Sequence, residues 1–178
     1  KIDSKKIERK MMNVSQVSAS MNVIVENIKK NINKDIKIIF TLSPIRHWRE
    51  GFKDNLLSKS TLYLAINELC KRDDMFYFPS YEIVMDELRD YRFYAQDMLH
   101  ISELAVDYIW QKFSNCYFDE RTMMMNKDFI KLYLMKNHRP LNPESEGYKK
   151  HLLKIKEMEE KLNNEINFTE DELLWIKK

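Results

Sequence analysis

The sequence predicts an α/β fold with parallel strands, followed by a helical C-terminal extension. Three observations lead there. The run "IKIIFTL" (residues 36–42) is β-rich and nearly continuously apolar, as in a strand buried on both faces. A helical stretch separates it from a second short β-rich run, "MFYFP" (75–79), and strand–helix–strand implies parallel strands with a right-handed crossover. Beyond about residue 118 the pattern becomes purely helical, so the expected division is 1–118 for the α/β part and 119–178 for the extension.

Each element has its own warrant. Val17, Met21, Ile24, Ile28 and Ile32 recur at helical spacing within 13–33, and Asn13 with Gln16 forms a relaxed capping box at the start. After the first strand, "SPIRHWREGFKDN" (43–55) reads as a loop. A helix from Ser58 to Lys71 follows, with Leu62, Ala65, Ile66 and Leu69 inward. "SYEIVMDELRDY" (80–91) reads as a helix capped by Ser80, and "ELAVDYIWQKF" (103–113) as one capped by Ser102, with Leu104, Ala105, Tyr108, Ile109 and Trp110 as its buried stripe. A methionine-rich helix is expected from Asp119 to Lys136, then a loop at "NHRPLNPESEG". An amphipathic helix follows on Tyr148, Leu152, Ile155, Met158 and Leu162, and a short last one opens at the Thr169/Glu172 capping box. Two strands are fewer than a doubly wound sheet needs, so further strands are expected upstream of this chain.

Composition removes several function classes. With 30 basic and 28 acidic residues the net charge is +2, which gives no electrostatic reason to expect nucleic acid. Two glycines in 178 residues, against an average near ~7%, leave no material for a phosphate-binding loop or a dinucleotide fingerprint. No apolar run approaches the ~20 residues of a membrane span. Cys70 and Cys116 have no motif partners and read as buried reduced thiols, which suits a cytoplasmic setting; a single bridge between them is the alternative. The chain begins at Lys1 rather than at a methionine, so its true N-terminus is expected elsewhere.

The stretch "QDMLHISEL" (96–104) carries the most chemistry. Asp97 three residues before His100 can reach Nδ1 of the imidazole, fix its tautomer and leave Nε2 to take a proton. Such spacing also arises by chance, and a surface Asp beside a helix start is the plainer alternative. Arg46 and His47, in the loop after the first strand, suit an anionic substrate group or a pocket wall; a structural loop packed over Trp48 is the competing reading. Ser43, Ser80 and Ser102 read as turn and cap residues rather than nucleophiles. Arg89, Asp90 and Arg92 read as ion pairs, and Tyr91, Phe93 and Tyr94 as core. The Met123–Met125 run reads as helix packing, and His138 and His151 as surface residues. No metal or other cofactor is expected.

Several longer stretches together resemble the C-terminal half of the GSCFA domain, a relative of the SGNH (GDSL-like) hydrolases. These are "KIIFTLSPIRHWREG", "LSKSTLYLAINEL", "YFPSYEIVMDELRDYRFYAQDMLH" and "AVDYIWQKF", with "NHRPLNPESEGYK" resembling the family's tail. The resemblance runs from about Ile36 to Tyr148, more loosely over the first helix. It implies a three-layer α/β/α sandwich and a Ser–His–Asp site acting on acyl or acetyl esters, with carbohydrate esters as one candidate class. Asp97 and His100 match the family's D-x-x-H block as acid and base. The family's Gly-Ser-Cys-Phe-Ala segment, which holds the serine, is absent here, so the nucleophile is expected in an N-terminal half that this chain needs and lacks. Ile101 stands where the family places proline. A non-catalytic scaffold that docks a partner through residues 148–178 is the rival reading.

Overall fold

The computed structural model describes residues 10–47 and 51–165. The chain divides into two compact units, Lys1–Phe113 and Ser114–Lys178. It is mixed α/β, mostly helical, with one parallel two-stranded sheet.

In the first unit, helix α1 (Val14–Asn31) opens on the expected capping box. Asn13 Oδ1 accepts from Gln16 N at 2.9 Å while Gln16 Oε1 accepts from Asn13 N at 3.0 Å. Its buried residue is Val25, whereas Ile24 is exposed; both fit the helical period, and packing selects Val25. Strand β1 (Ile38–Thr41) is shorter than expected because Ile36 N–H is used in a turn to Asn33 O. It pairs in parallel with β2 (Met75–Phe78), Ile38 opposite Met75 and Thr41 opposite Phe78.

Between the strands, α2 (Gly51–Leu69) begins seven residues before the expected Ser58, entered through Gly51 at φ +82°. Sequence periodicity missed that start because its apolar residues Phe52, Leu56 and Leu57 face outward. Ala65, Ile66 and Leu69 are buried as expected, and Leu62 is partly exposed. Val25, Leu69 and Met75 form the core, with Met21, Ile38, Phe40 and Cys70 against them. Lys29 pairs with Asp74 beside it.

The expected burial of β1 on both faces does not hold. Ile38 and Phe40 face the helices, but Ile39 and Thr41 are exposed on the other face, since the later helix at Glu103–Tyr117 covers that side only in part.

The stretch after β2 also departs from expectation. Ser80 is the first residue of α3 (Ser80–Glu82) rather than its cap, and α3 widens at once into a π-helical turn (Ile83–Glu87) closed by Leu88 N–H to Ile83 O at 3.1 Å. That turn buries Ile83, Val84 and Leu88. A 3₁₀ turn follows at Tyr91–Phe93. Tyr91 is 80% exposed, so it is not core; Arg89–Asp86 and Arg92–Asp90 are the expected surface ion pairs. Helix α4 (Glu103–Tyr117) buries Ala105 but leaves Leu104 exposed, and Trp110, on the sheet-facing side, is exposed because that side is only partly covered.

In the second unit, α5 (Glu120–Asn137), capped by Asp119, packs on α6 (Glu146–Glu165) through Leu132, Ile155 and Leu162 with Met135 and Met158. Met124 faces solvent, so the methionine run packs only in part. His151 is half-buried rather than a surface residue, bonded to Met135 O and edge-on to His138. Both cysteines are free thiols, and Cys116 is exposed rather than buried. The Thr169/Glu172 capping box lies outside the described residues. Among those residues no helix is long and apolar enough to cross a membrane.

Candidate active site

The chain from Tyr94 to Ile101 folds into a small antiparallel loop. Tyr94 and Ile101 form an isolated bridge, with Ala95 N–H donating to His100 O and Ser102 N–H to Phe93 O, both at 2.9 Å. At the tip, Met98 N–H donates to Ala95 O, and Met98 takes the left-handed region at φ 60°. Residues other than glycine enter that region rarely, so the turn has to be held.

Asp97 holds it. Its Oδ1 accepts from the backbone N–H of Leu99 at 2.9 Å and of His100 at 3.0 Å. Its Oδ2 lies 2.6 Å from His100 Nδ1. An ionised carboxylate only accepts, so Nδ1 carries the hydrogen and the neutral ring keeps its lone pair on Nε2. The His100 backbone N–H, the His100 side chain and the Leu99 N–H hold the Asp97 carboxyl down at about 2. His100 and Asp97 are both exposed, so the ring edge is open to a substrate or to another segment.

Of the two other candidate residues, Arg46 comes to this turn. Its N–H donates to Leu99 O at 3.4 Å, and its guanidinium lies 5.3 Å over the Tyr94 ring. His47 is anchored to α2, its N–H donating to Asn55 Oδ1 at 2.8 Å. Trp48 lies outside the described residues. Tyr94 and Leu99 are thus part of the site, though nothing in their spacing marked them.

None of the three local serines is hydrogen-bonded to His100. Ser43 Oγ accepts from Ile45 N–H, Ser80 Oγ donates to Leu42 O and meets Thr41 Oγ1, and Ser102 Oγ donates to Arg92 O while accepting from Ala105 N–H. Ser102 is the expected cap; Ser80 is a buried tie between the two strand ends. Ile101 N–H makes no hydrogen bond in the bridge, so a proline at this position would remove none.

The Ile101 side chain joins Ile39, Phe78, Val106 and Trp110 around an apolar groove of about 350 Å³. Among the described residues no group of three or more His, Cys, Asp or Glu would hold a metal ion.

The GSCFA family model matches residues 1–113, and the model for the C-terminal domain of GSCFA domain proteins matches residues 131–178. No curated protein and no solved structure matches the chain. The match over residues 1–113 takes in β1, β2 and the Asp97–His100 turn and spans well over half of the sequence. The chain therefore belongs to the GSCFA family.

Proposed function

We propose that this chain carries the acid–base half of an SGNH-type ester hydrolase. The observation that carries the reading is the Asp97 Oδ2–His100 Nδ1 contact of 2.6 Å, in a turn that fixes both groups and leaves Nε2 unoccupied. The β1–α2–β2 unit forms part of a three-layer α/β/α sandwich, completed by strands outside this chain. The serine comes from the same upstream sequence.

In the complete site, His100 Nε2 takes the proton from the serine hydroxyl as its oxygen attacks the ester carbonyl. The imidazolium, stabilised by Asp97, returns that proton to the departing alcohol, leaving an acyl-enzyme. Water activated by the same nitrogen then releases the acid. Arg46 and His47 border the substrate, and the groove beside Ile101 offers an apolar wall for the acyl part. The substrate is an acyl or acetyl ester, with carbohydrate esters as one class.

The test uses the full-length protein with p-nitrophenyl acetate. His100→Ala is expected to lower kcat/KM by at least ~100-fold, as removal of a general base does. Unchanged hydrolysis in that variant sinks the reading. Labelling of this chain alone by a fluorophosphonate probe would overturn the upstream position of the serine.

A further inference from the structure

Lys59 is the one lysine among the described residues that is buried, at 8% exposure. It sits on the inward face of α2, six residues before Ala65 and seven before Ile66. Its ammonium donates to Ser43 O at 2.5 Å and lies 5.4 Å over the Tyr81 ring. No carboxylate of the described residues is within ion-pair distance of it. An ammonium has three N–H donors, and among the described residues Ser43 O is the acceptor that meets them. A desolvated cation in that condition is costly unless an anion joins it.

The surroundings have the form of a ligand site. Lys59 lines a cavity of about 360 Å³ with Leu42, Leu56, Tyr63, Leu64 and Tyr81. That volume is within the range of small-molecule pockets, and its walls are mostly apolar, with Lys59 and Glu82 as the charged groups and Ser60 as a polar one. Leu42 follows β1 directly and Tyr81 lies just beyond β2, so the cavity is at the carboxyl ends of parallel strands, where open α/β sheets take their ligands. Glu82 shares the wall, its two oxygens each 2.9 Å from the Tyr77 hydroxyl, which has a single hydrogen to donate between them.

We propose that this cavity binds a small organic carboxylate, its charge on Lys59 and its planar apolar body between Tyr63, Tyr81 and the leucines. The site is separate from the Asp97–His100 turn and does not depend on the hydrolase reading. Burial lowers the Lys59 pKa, and a bound carboxylate opposes that shift. Binding therefore favours the protonated amine and weakens as pH rises into the alkaline range.

The experiment titrates the ¹⁵N-labelled full-length protein with sodium benzoate, and with benzyl alcohol and sodium phosphate as probes lacking the charge or the apolar body. Saturable shifts at the Leu42, Tyr63 and Tyr81 amides are expected with benzoate, at least tenfold tighter than with either comparison probe. Lys59→Met should abolish them and Lys59→Arg retain them. The proposal is overturned if benzoate gives no saturable shifts, if phosphate or benzyl alcohol binds equally, or if a folded Lys59→Met binds benzoate as the wild type does. Should Lys59→Met fail to fold, the benzoate and benzyl alcohol comparison in the wild type decides.

Discussion

At Asp97 one oxygen is committed to two backbone N–H groups and the other to the imidazole, so a single carboxylate both builds the turn and orients the His100 ring. Its carboxyl is held at about 2, below the ordinary carboxylate value near ~3.9. A depressed folded-state pKa contributes stability that is present above the unfolded value and lost as pH falls through the folded one. A ¹³C titration should therefore place the Asp97 midpoint near 2, with the protection of the Leu99 and His100 amides, relative to their intrinsic exchange rates, falling as pH falls from about 4 towards 2. A midpoint at the ordinary value would mean that the turn does not hold the carboxylate. Ser80 offers a second test at this scale. Its buried hydroxyl ties Leu42 O to the start of α3, and Ser80→Ala leaves that carbonyl without its donor. The expected cost is about 1–3 kcal/mol by urea unfolding; a change under a few tenths would show that the tie is dispensable. The pairing of Asp97 with His100 was legible in the D-x-x-H spacing. The left-handed Met98 and the lone burial of Lys59 were not, because both depend on what the neighbouring chain leaves open.

Helix α1 is the element whose signals agree best, with cap, inward packing and the basic last turn of Lys29 and Lys30 all consistent. Asn13→Ala removes one arm of the capping box and should cost about 1 kcal/mol, read as a lower urea midpoint with an unchanged slope. No shift in midpoint would show that packing against Leu69 and Met75 sets the start of α1 without the cap. Elements were legible where local chemistry and tertiary packing point the same way, as at α1 and the Ser102 cap of α4. They were misjudged where packing overrides period. The π turn at Ile83–Glu87 inserts a wider ring into an otherwise helical pattern, and its closing bond, Leu88 to Ile83, leaves no trace in spacing. Likewise α2 extends to Gly51 over a face with no inward apolar residue to announce it.

In the first unit, apolar surface and sheet size are out of proportion to each other. A two-stranded sheet is marginal by itself, and here its Ile39 and Phe76 remain exposed. Helix α2 carries apolar residues nearly all round, a pattern that belongs to helices covered on every side, yet Phe52 and Leu57 face solvent. Exposed large apolar residues on both the sheet and α2 suit a place where more polypeptide packs. The proposed upstream strands and helices would cover it, so the chain on its own should behave as an incompletely covered domain. It should enhance the fluorescence of an apolar dye such as ANS and self-associate at micromolar concentration and above. The full-length protein should do neither. Sedimentation velocity and dye titration on both forms provide the comparison. If the isolated chain stays monomeric and dark to the dye at about 100 µM, its exposed faces need no further cover. The upstream half of the proposed sandwich would then lose its main physical argument, while the Asp97–His100 geometry would stand unaffected.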